Sequence, residues 1–200
     1  MSDFPPDLDR LDDTDIVALT RHWVEHAVIG LNLCPFANSV FRKNQIEYRI
    51  SHARDPEALL QDLSLALQAM IDTPAEQVDT LLLIHPWVLT DFLDFNDFVG
   101  VADEVLEQTG LSGVLQIASF HPQYQFAGVA ADDVTNATNR SPFPTLHLLR
   151  EESLDRAIDS VADTDDIVER NLALMRKLGQ PGLQALQERI IAAARAERQR

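Results

Sequence analysis

An α/β domain built on a small parallel βαβαβ sheet, with a helical extension at its C-terminus, is what this sequence predicts. Three observations carry that prediction. Short apolar runs recur at residues 46–51, 80–84 and 114–120. The segments between them have helical periodicity and the length of crossover connections. Beyond residue 150 only helical patterns remain. Strand, helix, strand, helix, strand is the order that right-handed crossovers turn into a parallel sheet. A ferredoxin-like α+β sandwich is the alternative, because periodicity alone does not separate the two.

Taken in order, residues 1–13 read as a flexible, acidic lead, and residues 14–200 as a single α/β domain. A helix is expected from about Thr14 to Ile29, with Ile16, Trp23, Val24, Ala27 and Val28 on one apolar stripe. Gly30 ends that pattern. "IEYRIS" alternates, which is the mark of a half-exposed strand. Asp55 is a helix N-cap with Pro56 at the first helical position, and that helix runs to about Ile71. "TLLLI" is uniformly apolar and reads as a buried strand. A helix over about Asp91–Gln108 stops near Gly110. "VLQIASF" is a third strand and "TLHLL" a fourth. Helices follow over about Glu151–Ser160, Asp165–Leu178 and Leu183–Glu197, the last two separated by "GQPG".

Composition narrows the function classes. Hydrophobic residues make up 46% of the 200-residue chain, which suits a packed core. The formal net charge is −16. So acidic a surface repels phosphate backbones and anionic lipid heads, so nucleic acid and membrane are poor partners. The N-terminus lacks the charged and apolar regions of a signal peptide, and the apolar runs are too short to span a bilayer. The one cysteine, Cys34, forms no internal disulfide. A cytoplasmic protein with a reduced thiol is expected.

Several stretches have the residue types of a reactive site. "LIHP" and "SFHP" end two strands with His85 and His121, each followed by proline. Sites in open parallel sheets form beyond the carboxyl ends of the strands, so the two imidazoles are expected on neighbouring strands, pointing into a common cleft. Cys34 follows Gly30 on a loop and precedes Pro35. It is expected to line that cleft near His121, with a lowered pKa, as nucleophile or ligand. Together Cys34, His85 and His121 make a soft donor set that favours zinc or iron. Tyr124 is a candidate proton donor. Asn139 and Arg140 lie on a proline-flanked loop, and the planar cation of Arg140 suits an anionic substrate. His147, between Leu146 and Leu148, reads as a satisfied core histidine. "HWVEH", residues 22–26, matches the H-x-x-E-H pattern of zinc proteases, but the helical wheel puts His22 and Glu25 opposite the apolar stripe. A solvated face without metal is expected there.

"VIGLNLCPFA", "DFLDFNDFVGVADEVLE", "GVLQIASFHPQYQFAG" and "NRSPFPTLHLLRE" together resemble DUF1415, a bacterial protein family of unknown function. The resemblance runs from about Trp23 to Leu178. It implies that Cys34, His85, His121, Tyr124, Asn139, Arg140 and His147 fall within the family's characteristic stretches, while His22, His26 and His52 fall outside them. It implies no activity. The residues themselves point to an enzyme acting on a small anionic molecule, with hydrolysis by metal-bound water as the default chemistry. The alternative is a non-catalytic module that binds a partner protein through "PWVLTDFLDF".

Overall fold

The structure is a computed structural model, and it describes residues 8–158 and 164–199. Residues 1–7 of the acidic lead and the end of the helix expected to reach Ser160 lie outside those residues. Leu8–Arg10 forms one 3-10 turn. Leu8 and Leu11 pack against the core behind it.

Helix α1 spans Asp13–Trp23. The Asp12 carboxylate accepts from the Asp15 amide at 2.9 Å while the Asp15 carboxylate accepts from the Asp12 amide, a reciprocal cap on two orphan donors. The helix then widens into a π turn over Val24–Ile29. Gly30 itself keeps helical angles, φ −62 and ψ −32. What it supplies is space, since a Cβ there would lie 2.4 Å from the His26 carbonyl oxygen. The reversal falls instead at Asn32, with φ 54. A short helix the sequence reading missed, α2 (Ala37–Arg42), follows.

Strand β1 (Ile46–Ile50), helix α3 (Pro56–Asp72), strand β2 (Thr80–Ile84), helix α4 (Phe92–Gln108) and strand β3 (Leu115–Phe120) follow the expected order. Asp55 caps α3 through the Ala58 amide, with Pro56 at its start. Strand β4 is Thr145–Arg150. The sheet order is β1-β2-β4-β3. β1 and β2 are parallel, whereas β4 pairs antiparallel with both β2 and β3. The mixed α/β class therefore stands, but the purely parallel sheet is corrected. β1, β2 and β3 do share one direction, as βαβαβ requires. The fourth strand enters between β2 and β3 because residues 121–144 return the chain without a crossover helix, and a return without a crossover pairs antiparallel.

The sheet has two unlike faces. Leu81, Leu83, Leu115, Ile117, Leu146 and Leu148 pack against α3 and α4 in one continuous core. On the other face, Ile46, Leu82, Ile84 and Phe120 meet Trp23 and Val24 near the end of α1, together with Leu186 and Ile190 of the last helix. Helix α5 is Glu151–Ile158. Helix α6, Thr164–Arg198, is two helices joined at Gly179, whose φ of 60 and ψ of −178 break it beside Pro181, as "GQPG" leads one to expect. Among the described residues, no helix is long and apolar enough to cross a membrane.

Candidate functional site

The residues expected to converge are divided between the two faces. His85 and His121 do follow strand ends, and Pro86 and Pro122 do stop those strands. Their strands, however, are not neighbours: β4 lies between them. The segment leading into β4 pins both backbones. The His85 amide donates to Pro144 O at 3.0 Å and the His121 amide to Asn139 O at 3.3 Å.

Both rings turn into the α4 layer, against Phe95, at centroid distances of 5.6 and 5.1 Å. His121 is satisfied on both sides. Its Nε2–H donates to Leu89 O at 3.2 Å, and its Nδ1 accepts from the Gln123 amide at 3.0 Å. Burial lowers its pKa. The Nδ1–H of His85 donates to Val88 O at 3.1 Å, which leaves a lone pair on Nε2, fully buried and without a partner among the described residues. Burial pushes the pKa of His85 down to about 4, so it is neutral in the fold. These imidazoles hold the 88–92 loop shut over the end of the sheet.

The other expected anchors tie up the long 121–144 connection. Arg140 gives its Nε–H to Tyr124 O and an NH2 proton to Ala131 O. Asn139 accepts from Thr138 through its side chain and from His121 through its carbonyl. Tyr124 packs on Phe92 and Phe126, with centroids 5.1 and 5.0 Å away. Asn136, completely buried and not anticipated, accepts from the Phe126 amide and donates to Ala130 O. Trp87, offered as a contact surface, is only half exposed and stacks on His52 beneath the Arg54 guanidinium.

Cys34 lies on the opposite side of the sheet. There a cleft of about 710 Å³ opens between the 34–43 segment, the 75–79 loop and α5. Its floor is the part of the second sheet face that α1 and α6 leave uncovered: Leu82, Ala118, His147 and Leu149. Leu82 and Ala118 are the direct cross-strand partners of His147. His147 is thus central in the sheet and faces the cleft, away from Leu146 and Leu148.

Two neighbours fix its protonation. The Thr80 hydroxyl donates to Leu148 O at 2.8 Å, so its oxygen accepts from His147 Nε2–H, 2.5 Å away. Burial pushes the pKa of His147 down to about 4, so the ring is neutral and Nδ1 keeps its lone pair. That Nδ1 has no partner among the described residues. Cys34, Pro35 and Phe36 form one wall. Burial raises the Cys34 thiol pKa, with the amides of Phe36 and Ala37 pulling the other way. The lowered pKa expected for this thiol is therefore corrected: burial outweighs the two amides. Lys43 and Arg156 stand at the rim, beside Glu76 and Asp79. Arg150, in the same wall, is committed to the carbonyls of Met70, Thr73 and Val78 at the end of α3.

Cys34 thus lines a cleft, but with His147 and not with His121. The three-ligand set of Cys34, His85 and His121 does not form, because the sheet stands between the thiol and the two imidazoles. The alternation of "TLHLLR" was the signal that could have singled out His147, since it sets that ring on the face opposite its leucine neighbours. That this face is left open there is a property of α1 and α6, which no local pattern records.

A protein-family model described as "Protein of unknown function (DUF1415)" matches residues 15–185. No curated protein and no solved structure matches the chain.

Proposed function

The chain belongs to the DUF1415 family, and we propose that it binds a small, mainly apolar molecule in the cleft on the open face of its sheet. The observation that carries this reading is that His147, held neutral and with no partner for its Nδ1 among the described residues, lines a largely apolar floor. Pockets of several hundred Å³ with few oriented polar groups are the usual form of small-molecule sites. A ligand O–H or N–H meets His147. Lys43 at the rim, without a partner among the described residues, meets an anionic group.

An imidazole with a pKa near 4 is a good hydrogen-bond acceptor and a weak base at neutral pH, which favours recognition over proton abstraction. Catalysis in this cleft would rest on Cys34 as a nucleophile, and its raised pKa then requires the ligand to bring the charge that ionises it. Hydrolysis routed through Cys34, His85 and His121 together has lost its geometry. A single free thiol suits a reducing, cytoplasmic setting. The net charge of −16 argues against nucleic acid or anionic membrane as the partner.

The test uses 1-anilinonaphthalene-8-sulfonate, which has an apolar body, an N–H donor and a sulfonate. Fluorescence titration of the full chain should show one saturable site. Ala118→Trp, which fills the floor, should weaken binding at least tenfold, while Phe95→Leu on the closed face should not. Equal affinity in the wild type and Ala118→Trp would sink the assignment.

A further inference from the structure

We propose that His22, Glu25 and His26 form a binding site for a first-row divalent transition-metal ion. It is separate from the cleft and is clamped by Glu197 from the C-terminal helix. One ligand atom from each of the three residues lies within 4.8 Å of the others. Two ligands of a tetrahedral ion bound at about 2.1 Å are about 3.4 Å apart. The closest edge here, His22 Nδ1 to Glu25 Oε2, is already 3.2 Å. Small rotamer adjustments bring in His26, whose ring lies parallel to that of His22 at 5.6 Å with 9° between the planes.

The expected solvated face holds for Glu25, 43% exposed, but not for His22. The second half of α6 lies along α1, and Glu197 Oε2 sits 2.9 Å from His22 Nε2, while Arg21 pairs with the same carboxylate. The His22 side chain is 12% exposed. Its two nitrogens therefore have different duties. Nε2–H donates to Glu197, and Nδ1 faces Glu25 Oε2 at 3.2 Å, where a metal ion would take the place of its proton. A carboxylate that orients a ligating imidazole through its far nitrogen is the usual second layer of a metal site. The backbone is also irregular here. Glu25 and His26 lie in the π turn, which the Gly30 amide closes on Glu25 O at 2.9 Å. Single π turns inside α-helices concentrate at functional positions. Two imidazoles and one carboxylate select zinc, cobalt or iron(II) over magnesium or calcium.

The experiment is calorimetric titration of the full chain, freed of chelator and carrying no histidine tag, with zinc chloride at neutral pH. One equivalent should bind. Glu25→Gln and His26→Gln, each checked for the wild-type circular dichroism spectrum, should each lose it. Glu197→Gln should retain the site but weaken it by about 10–100-fold, the usual effect of removing an orienting carboxylate. Cobalt(II) absorption gives a second readout that does not depend on stability, and its visible bands should vanish in His26→Gln and persist in His85→Gln. Failure to bind zinc would leave Arg21, His22, Glu25 and Glu197 as an ion-pair network only and overturn the proposal. So would unchanged binding in the Glu25→Gln, His26→Gln double variant. Neither result bears on the cleft, whose probe and variants are independent.

Discussion

The two faces of the sheet carry the same kinds of residue and use them oppositely. On the face covered by α3 and α4, His85 and His121 both stack on Phe95 and donate to the carbonyls of Val88 and Leu89. On the other face His147 is equally neutral and lines the cleft, with no partner for Nδ1 among the described residues. Burial alone does not distinguish them. The difference is where the second nitrogen lies: His121 Nδ1 accepts from the Gln123 amide, His85 Nε2 is sealed in the core without a partner among the described residues, and His147 lines the cleft. A histidine that ends a strand has a loop folding back within reach to accept its N–H, as Val88 O and Leu89 O do. One in mid-strand has only its cross-strand neighbours.

Four measurements break or sharpen this contrast. Removing the ring on which both strand-end histidines stack has the largest effect: Phe95→Ala should cost about 3–5 kcal/mol in urea unfolding, as for other buried aromatic truncations. Leu149→Ala, which already borders the cleft, should cost about 1 kcal/mol. Equal costs would mean that the cleft face is as tightly packed as the other.

The second is acid sensitivity. Folding depresses the pKa of His85 to about 4, below the ordinary value of about 6.5. Above pH 6.5 both states are neutral and the full stability is present. As the pH falls from there towards 4, the unfolded chain takes up a proton that the folded chain refuses, and stability is lost. The loss for His85 is about 3 kcal/mol across that window, and it should be missing in His85→Gln. His147 has a shift of the same sign. Occupying the cleft with the naphthalene sulfonate should move the His147 titration in an NMR pH series and leave that of His85 in place.

Third, Thr80→Val removes both the acceptor for His147 Nε2–H and the donor to Leu148 O. About 2 kcal/mol of destabilisation is expected, together with a weaker probe affinity as the ring loses its fixed tautomer. The smallest effect is at Cys34. Its reaction with a thiol reagent in the folded protein should be slow at neutral pH and rise only above about pH 8.5, following the upward shift that burial imposes. Cys34→Ser should change stability by less than about 1 kcal/mol. Rapid labelling at pH 7 would place a cation near the thiol and revive it as a nucleophile.

Local patterns carried much of the fold. Asp55–Pro56, the five apolar residues of β2 and the "GQPG" break each specify their structure within a few neighbours, and each appears where expected. What failed was relational. The insertion of β4 between β2 and β3 depends on how residues 121–144 return, and that path is set by Asn136 and Arg140 bonding to distant carbonyls. Arg140 looks like an anion anchor in sequence because its partners are backbone atoms, which carry no residue identity. Cys34 was legible as a cleft residue, since the chain around it follows neither helical nor strand periodicity. The identity of the histidine facing it was not, because that depends on which face two remote helices leave bare.

Helix α6 has a consequence for how the molecule comes into being on the ribosome. Its first half holds the Cys34 loop through Arg170 to Asn32 O and Asn171 to Leu33 O. Its second half grips α1 through Glu197 to His22 and Arg198 to Asp12 and Asp15. These contacts join residues 138 to 186 positions apart. Part of the cover over the apolar stripe of α1, Leu186 and Ile190, is therefore made long after that helix, although β1 and β2 reach it earlier. Such long-range closure folds late and exposes the nascent chain to aggregation. Ribosome-bound intermediates of this protein should engage chaperones through α1, and release should coincide with the arrival of residues 186–198 outside the exit tunnel.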